Sequence, residues 1–392
     1  MKTYPCGSPM PSSFDTQNSA TEKLMGKPIT GKPVTECGTL DDIFRHCFPA
    51  FGGALLRKFY TISSMAIQNN ARLVISFAGP ITVSDAHRIW LNPLLETGWV
   101  AYIAAADAVC YHDAHDLVRR FTERPIREVH MHGNDSAHRN AGIIRVTNTG
   151  FAEELLYETD AFLNTILEKP QFQKSMTTTE RNYELGVEFG KREKEIEARP
   201  GLLSTCARHG IPVFIAAPAD GSVFLEHVKM WALGKTSFTQ PYRFRYNLEE
   251  DVFEACAYHY WGLHSKEISG FCAFLGGGGA NKNYILQPEP ALSQIFGIPD
   301  VRGYDYDVQI VSSPETDGSL TSCPPAEAVT WGKVNQETYE GTTVSVPGDY
   351  SMFMPFIIKA LIDTLTPKPQ LRLYDRRNLL KESLLKIVAN II

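Results

Sequence analysis

None of the eight cysteines in this 392-residue chain stands in a CxxC pair. Their irregular spacing excludes a disulfide framework, and several lie inside apolar runs such as Gly270-Phe271-Cys272-Ala273-Phe274. That is the usage of reduced, buried thiols, which places the chain in the cytoplasm. No apolar run approaches bilayer-spanning length, and Met1-Lys2-Thr3-Tyr4-Pro5 lacks the apolar stretch of a secretion signal, so no membrane is expected as a partner. Basic charge is not in excess: 38 Lys and Arg against 44 Asp and Glu leave a net charge of −6. Nucleic acid is therefore not an expected partner either. No internal repeat is present.

What is present is the composition of a soluble globular protein, 43% hydrophobic and 21% charged, enough to bury a sizeable core. Residues 1–36 are rich in Pro, Ser, Thr, Gly and Lys without periodicity and are expected to form a mobile arm ahead of a single domain, 37–392. Apolar residues recur at helical spacing from Leu40 to Asn69, where Pro49 and Gly52-Gly53 predict a break into two helices. Short apolar runs then alternate with helix-like segments. The strand candidates are Leu73–Phe77, Val100–Ala106, Ile211–Ala217, Phe271–Leu275, Val308–Ser312 and Thr343–Val346. Helices are expected at Ser84–Thr97, Phe151–Leu167, Thr179–Ala198, Leu248–His264, Tyr350–Leu365 and Asp375–Ile392. The third of these is heavily charged and expected to be solvated on one face. Residues 120–150 read as a long polar, His-rich excursion. The repeated strand, small or acidic turn, and helix predict a Rossmann-like, doubly wound α/β fold with a mostly parallel sheet covered on both faces. Ligands then belong beyond the carboxyl ends of the strands.

The chemistry-bearing stretch is Glu327-Ala328-Val329-Thr330-Trp331-Gly332-Lys333, preceded by the small-residue loop Asp317-Gly318-Ser319-Leu320-Thr321-Ser322-Cys323-Pro324-Pro325. A lysine beside an aromatic face and one carboxylate has the makings of a Schiff-base nucleophile for a cationic substrate; the competing reading is a surface lysine at a strand end. Gly276-Gly277-Gly278-Gly279 follows a strand and permits close backbone approach of a nucleotide, though it is not GxGxxG. Asp107, Asp220, Asp317 and Asp349 fall just past strand ends, as helix caps or as ribose or cation ligands. His130-Met131-His132 has the spacing of two metal ligands, but later strand ends offer no histidine, so no metal is expected.

The heptapeptide, with Asp317-Gly318-Ser319 ahead of it, closely resembles the active-site segment of deoxyhypusine synthases. The glycine turn through Asn281-Lys282-Asn283-Tyr284, the segment Ile211–Phe214 leading to Asp220-Gly221-Ser222, and Asp349 are collinear with that family from about Leu73 to Asp363. The resemblance implies NAD-dependent aminobutyl transfer from a spermidine-like polyamine, through an imine on Lys333. The acceptor is a lysine of a translation factor, or putrescine as in the related homospermidine synthases. It further implies a homotetramer. NAD contacts are implied for Pro80, Ala106, Asp107, Ala108, His112, Asp220, Gly277, Gly278, Ser312, Asp317, Asp349 and Tyr350, and substrate contacts for Gly318, Ser319, Leu320, Glu327, Trp331 and Lys333.

Four positions depart from the family pattern. Asn283 replaces a histidine, Leu320 and Leu225 replace acids, and His112 replaces a glutamate. Asn283 cannot titrate, whereas His112, with an ordinary pKa near 6.5, is expected either to take the amine proton in its place or to contact the ribose as a neutral donor. The alternatives are a homospermidine synthase, or a catalytically silent partner subunit, which would have no need of Lys333, Trp331 and Glu327.

Overall fold

The computed structural model describes residues 28–77, 79, 81–118, 125–237 and 240–391. Its centre is a six-stranded sheet of β1 (Arg72–Phe77), β2 (Val100–Ala105), β3 (Val213–Ile215), β4 (Phe271–Gly276), β5 (Tyr306–Val311) and β6 (Thr343–Pro347). In space the order is β3-β2-β1-β4-β5-β6, and every pairing is parallel. β1, β2 and β4 are buried along their whole length, because helices cover both faces and near-continuous apolar runs suit such strands.

Alternating side chains feed two cores. Leu73, Ile75, Phe77, Cys272 and Phe274 pack with α1 (Phe51–Gln68) and, after β6, the helix Tyr350–Thr364. Val74, Ala273 and Leu275 face the opposite layer, which contains the helices Leu248–His264, Gly279–Leu286 and Leu373–Ala389. With Asp107–Asp113 as α2, these are numbered in chain order: α3 is Leu248–His264, α4 is Gly279–Leu286, α5 is Pro325–Thr330, α6 is Tyr350–Thr364 and α7 is Leu373–Ala389. The strand order reverses between β1 and β4, where a doubly wound sheet opens a crevice. Asn281 bridges that point, its Nδ2 donating to the Phe77 carbonyl at 2.9 Å.

One expected element needs correction and two gain detail. The break in the first helical stretch lies at 47–50, and Gly52-Gly53 sits inside the first turn of α1; Pro49 alone interrupts the hydrogen bonding. The excursion at 120–150 is not featureless. It contains the short helix Asp135–Asn140 and a three-stranded antiparallel sheet of Arg127–Glu128, Thr149–Ala152 and Ile143–Val146. The charged helix, Thr178–Glu195, buries Arg181, Glu188 and Glu193 on its inner face, so its charge is structural as well as solvating. Of the expected arm, residues 1–27 lie outside the described residues. Lys32 of the remainder is tied down, its N–H donating to the His46 carbonyl at 3.2 Å. Among the described residues, no helix is long and apolar enough to cross a membrane.

Candidate active site

Pro324 and Pro325 start α5, where a missing N–H costs nothing. The helix ends at Trp331, and Gly332 turns the chain with φ 74°. A Cβ there would stand 2.6 Å from the carboxylate of Glu289, and with the positive φ this favours glycine. Lys333 is then fixed at both ends of its peptide unit. Its N–H donates to Ala328 at 3.1 Å, and its carbonyl accepts from Tyr304 N–H at 3.0 Å. Tyr304 precedes β5, so the Lys333 peptide unit is tied to the chain entering that strand, while its side chain reaches α4.

The Lys333 ammonium is half-buried. Nζ donates to Asn283 Oδ1 at 2.8 Å and lies 5.7 Å from the centre of the Trp331 ring. Burial lowers its pKa, against the pull of Cys323 and Glu289. These groups border a cavity of about 650 Å³ whose lining includes Lys282, Asn283, Leu320, Glu327, Trp331 and Lys333. Glu327 and Trp331 are exposed to it. The loop before α5 is self-organised: Asp317 accepts from Ser319 N–H at 2.8 Å and Ser322 Oγ at 2.6 Å, and Gly318 has φ 73°. Gly318 and Ser319 thus shape the loop, and Leu320, half-exposed, is the member that lines the cavity. A Cβ at Gly279 would meet Leu320 and Thr321 at 3.2–3.4 Å, so this loop rests on the glycine turn.

Below the cavity lies a buried polar layer that the sequence reading missed. Lys282 Nζ donates to Gln309 Oε1 at 2.7 Å and to the Cys323 carbonyl. Asp307 is fully buried, and neither carboxylate oxygen has a hydrogen-bond partner among the described residues. Burial pushes Asp307 up to about 7 in spite of the attraction of Lys282, and it pushes Lys282 down. A signal for this layer was available. Asp307 and Gln309 are polar residues two apart in an otherwise apolar strand, hence on one face. Glu289, between two prolines, left no such trace.

The residues expected to hold a dinucleotide stand at the other strand ends, and the structure treats them unequally. Gly277 and Gly278 have φ of 70° and 81° and open α4, leaving bare backbone at the crevice between β1 and β4. That turn fits a pyrophosphate approaching a helix start. Asp107 does not fit a ribose. It is 2% exposed, paired with the buried Arg181 at 2.7 Å and covered by Gly221, whose Cβ would fall 2.0 Å from it. Its expected contact role is corrected accordingly: the carboxylate is committed to a cation in the core. Ala106 and Ala108 beside it remain partly exposed. Asp220 and Ser312 are exposed at the ends of β3 and β5. Asp349 caps α6 by accepting from Ser351 N–H at 2.8 Å, and Tyr350 packs against Phe77 and Trp90. Pro80 lies outside the described residues.

His112 is also corrected. It is not in the lining of the Lys333 cavity. Its Nδ1 lies 2.8 Å from His115 Nε2, and burial lowers its pKa to about 4. The ring is neutral at pH 7, so it lacks the matched pKa expected of a proton acceptor. Leu225, at an expected acid position, is exposed and is likewise absent from that lining.

The family model for deoxyhypusine synthase matches residues 43–361. The chain belongs to the deoxyhypusine synthase family. Among its relatives, a deoxyhypusine synthase-like protein of Nostoc punctiforme is 29% identical over 369 residues, covering 93% of this chain and 90% of the relative. A "Probable deoxyhypusine synthase 2" of Methanosarcina acetivorans is 25% identical over 312 residues, 79% of this chain and 82% of its own. A crystal structure described as "a putative deoxyhypusine synthase from Entamoeba histolytica" superposes with a TM-score of 0.51 at 12% identity, covering 87% of this chain and 99% of that one, a likeness of fold. Membership of the deoxyhypusine synthase family supports a transferase of the aminobutyl kind.

Proposed function

We propose that this protein transfers an aminobutyl group from a polyamine to an acceptor amine, with NAD bound and Lys333 as the covalent nucleophile. The observation that carries the reading is the placement of Lys333: half-buried, 2.8 Å from a neutral amide oxygen and beside an exposed indole. A nucleophilic lysine must spend part of its time as the free amine. Burial favours that form, and Asn283, unlike a carboxylate, adds no full charge to hold the proton. A donor ammonium meets the face of Trp331 and the carboxylate of Glu327.

NAD, when bound, supplies the hydride acceptor for oxidising the donor amine and returns that hydride to the product. Gly277 and Gly278 would face its pyrophosphate, with Ala106, Ala108, Asp220, Ser312, Asp349 and Tyr350 along the strand ends. Lys333 Nζ forms a C=N bond to the oxidised carbon. The original C–N bond breaks, and the proton shed by Nζ leaves with the departing diamine. An acceptor amine repeats the exchange and frees Lys333. The acceptor is a protein lysine or a diamine, and the assembly a homotetramer.

Borohydride trapping in the presence of NAD and spermidine tests this. Mass spectrometry is expected to find the adduct on Lys333. Lys333→Arg should abolish it while NAD binding persists, since arginine stays charged at any accessible pH. An adduct on Lys282 instead would overturn the assignment.

A further inference from the structure

Cys110, Cys206, Cys256 and Cys272 are buried, as apolar runs in the sequence lead one to expect, and burial keeps such thiols inert. Cys37 and Cys47 differ. Both are half-buried, and their sulfurs meet at 3.4 Å. Cys323, the other half-buried thiol, bonds to the Pro324 carbonyl and to no second sulfur among the described residues.

The contact is built by the fold. Cys37 follows the turn Val34–Glu36, and Cys47 caps the C-terminus of the helix Leu40–His46, so the pair brackets that helix. Lys32 sets the approach: its N–H donates to the His46 carbonyl at 3.2 Å, and its own carbonyl accepts from Cys47 Sγ at 3.3 Å. Cys37 Sγ lies 3.7 Å from the Pro33 carbonyl. The helix is itself anchored on α1. Phe44 stacks on Tyr60 with ring centres 4.6 Å apart, and Asp41 accepts from Tyr60 Oη at 2.6 Å. Burial and the facing Cys47 raise the Cys37 pKa against the pull of Lys32, so Cys37 rests as a thiol at neutral pH.

Two accessible thiols in contact have a chemistry that a lone thiol lacks, because the first to react finds its resolving partner beside it. We infer that Cys37 and Cys47 form a reversible redox pair, whose disulfide ties the turn Val34–Glu36 to the end of the helix Leu40–His46. The oxidant class is a small disulfide such as glutathione disulfide. One cysteine thiolate attacks it, the oxidant's S–S bond breaks, and one glutathione leaves as a thiol, taking up the proton that the cysteine shed. The second cysteine displaces the other glutathione from the mixed disulfide in the same way and closes the Cys37–Cys47 bond. The two cysteines give up two electrons, and one glutathione disulfide is reduced to two thiols.

The test equilibrates the full-length protein with glutathione disulfide, blocks the remaining thiols with N-ethylmaleimide and reads digests by mass spectrometry. A linked Cys37–Cys47 peptide is expected, with loss of both maleimide labels and their return after dithiothreitol. Amide hydrogen exchange over residues 34–39 should slow by roughly tenfold or more in the oxidised form, since the bond removes open states of the turn. Cys37→Ser and Cys47→Ser, at half-buried positions, should each stop at the mixed disulfide, which separates a resolving partner from mere accessibility. Wild-type protein that keeps both maleimide labels, retains glutathione on Cys37 or Cys47, or joins either to Cys6 overturns the inference. Neither cysteine lines the Lys333 cavity, so that result would leave the proposed transfer standing.

Discussion

Two lysine- or arginine-bearing regions of this protein use the same residue types to opposite ends. Around α2, the carboxylate of Asp107 meets Arg181 at 2.7 Å with both side chains wholly buried, and His112 and His115 close on each other. Around α4 and α5, Lys333 rests on an amide, Glu327 and Trp331 face open space, and Asp307 lies buried with no hydrogen-bond partner on either oxygen among the described residues. The first region pairs its charges inside the core and is structural. The second is left incomplete, and incompleteness is what allows groups to exchange protons or engage a ligand.

The contrast is broken most directly at Asp107. Asp107→Ala should strand the buried Arg181 guanidinium and cost about 3–5 kcal/mol of stability in a denaturant titration, whereas Glu327→Ala, on an exposed helix turn, should leave the midpoint nearly unchanged. Equal losses for both variants would erase the distinction.

A smaller effect is expected at Asp307. Its carboxyl has a folded pKa raised to about 7, so between its ordinary value and 7 the folded state holds a proton that the unfolded chain has released. Stability must therefore fall as pH rises through that window, by at most about 1.4 kcal/mol per pH unit from this group. Asp307→Asn should flatten the slope, which melting curves at pH 5 and 7.5 would reveal.

The smallest effect concerns His112. Its folded pKa is depressed to about 4, so its contribution is present above its ordinary value near 6.5 and is lost as pH falls toward 4. His112→Ala is expected to leave the pH–rate profile of transfer unchanged near neutrality. Disappearance of an acidic limb in that variant would restore the proton-acceptor role first expected of this residue.

Apolar runs in the sequence locate all six central strands to within two residues, because burial on both faces leaves a local mark. The lysine, its tryptophan and the glycine turn are also legible there, as motifs confined to a few consecutive residues. Partnership is not. Lys333 meets Asn283 across 50 positions and Lys282 meets Gln309 across 27, while Asp107 turns from the crevice to Arg181. Periodicity reports whether a side chain is buried, but the sign and partner of the charge facing it come from another element. Only the packing of α4, α5 and β5 decided that one lysine would be enclosed and the other left for chemistry.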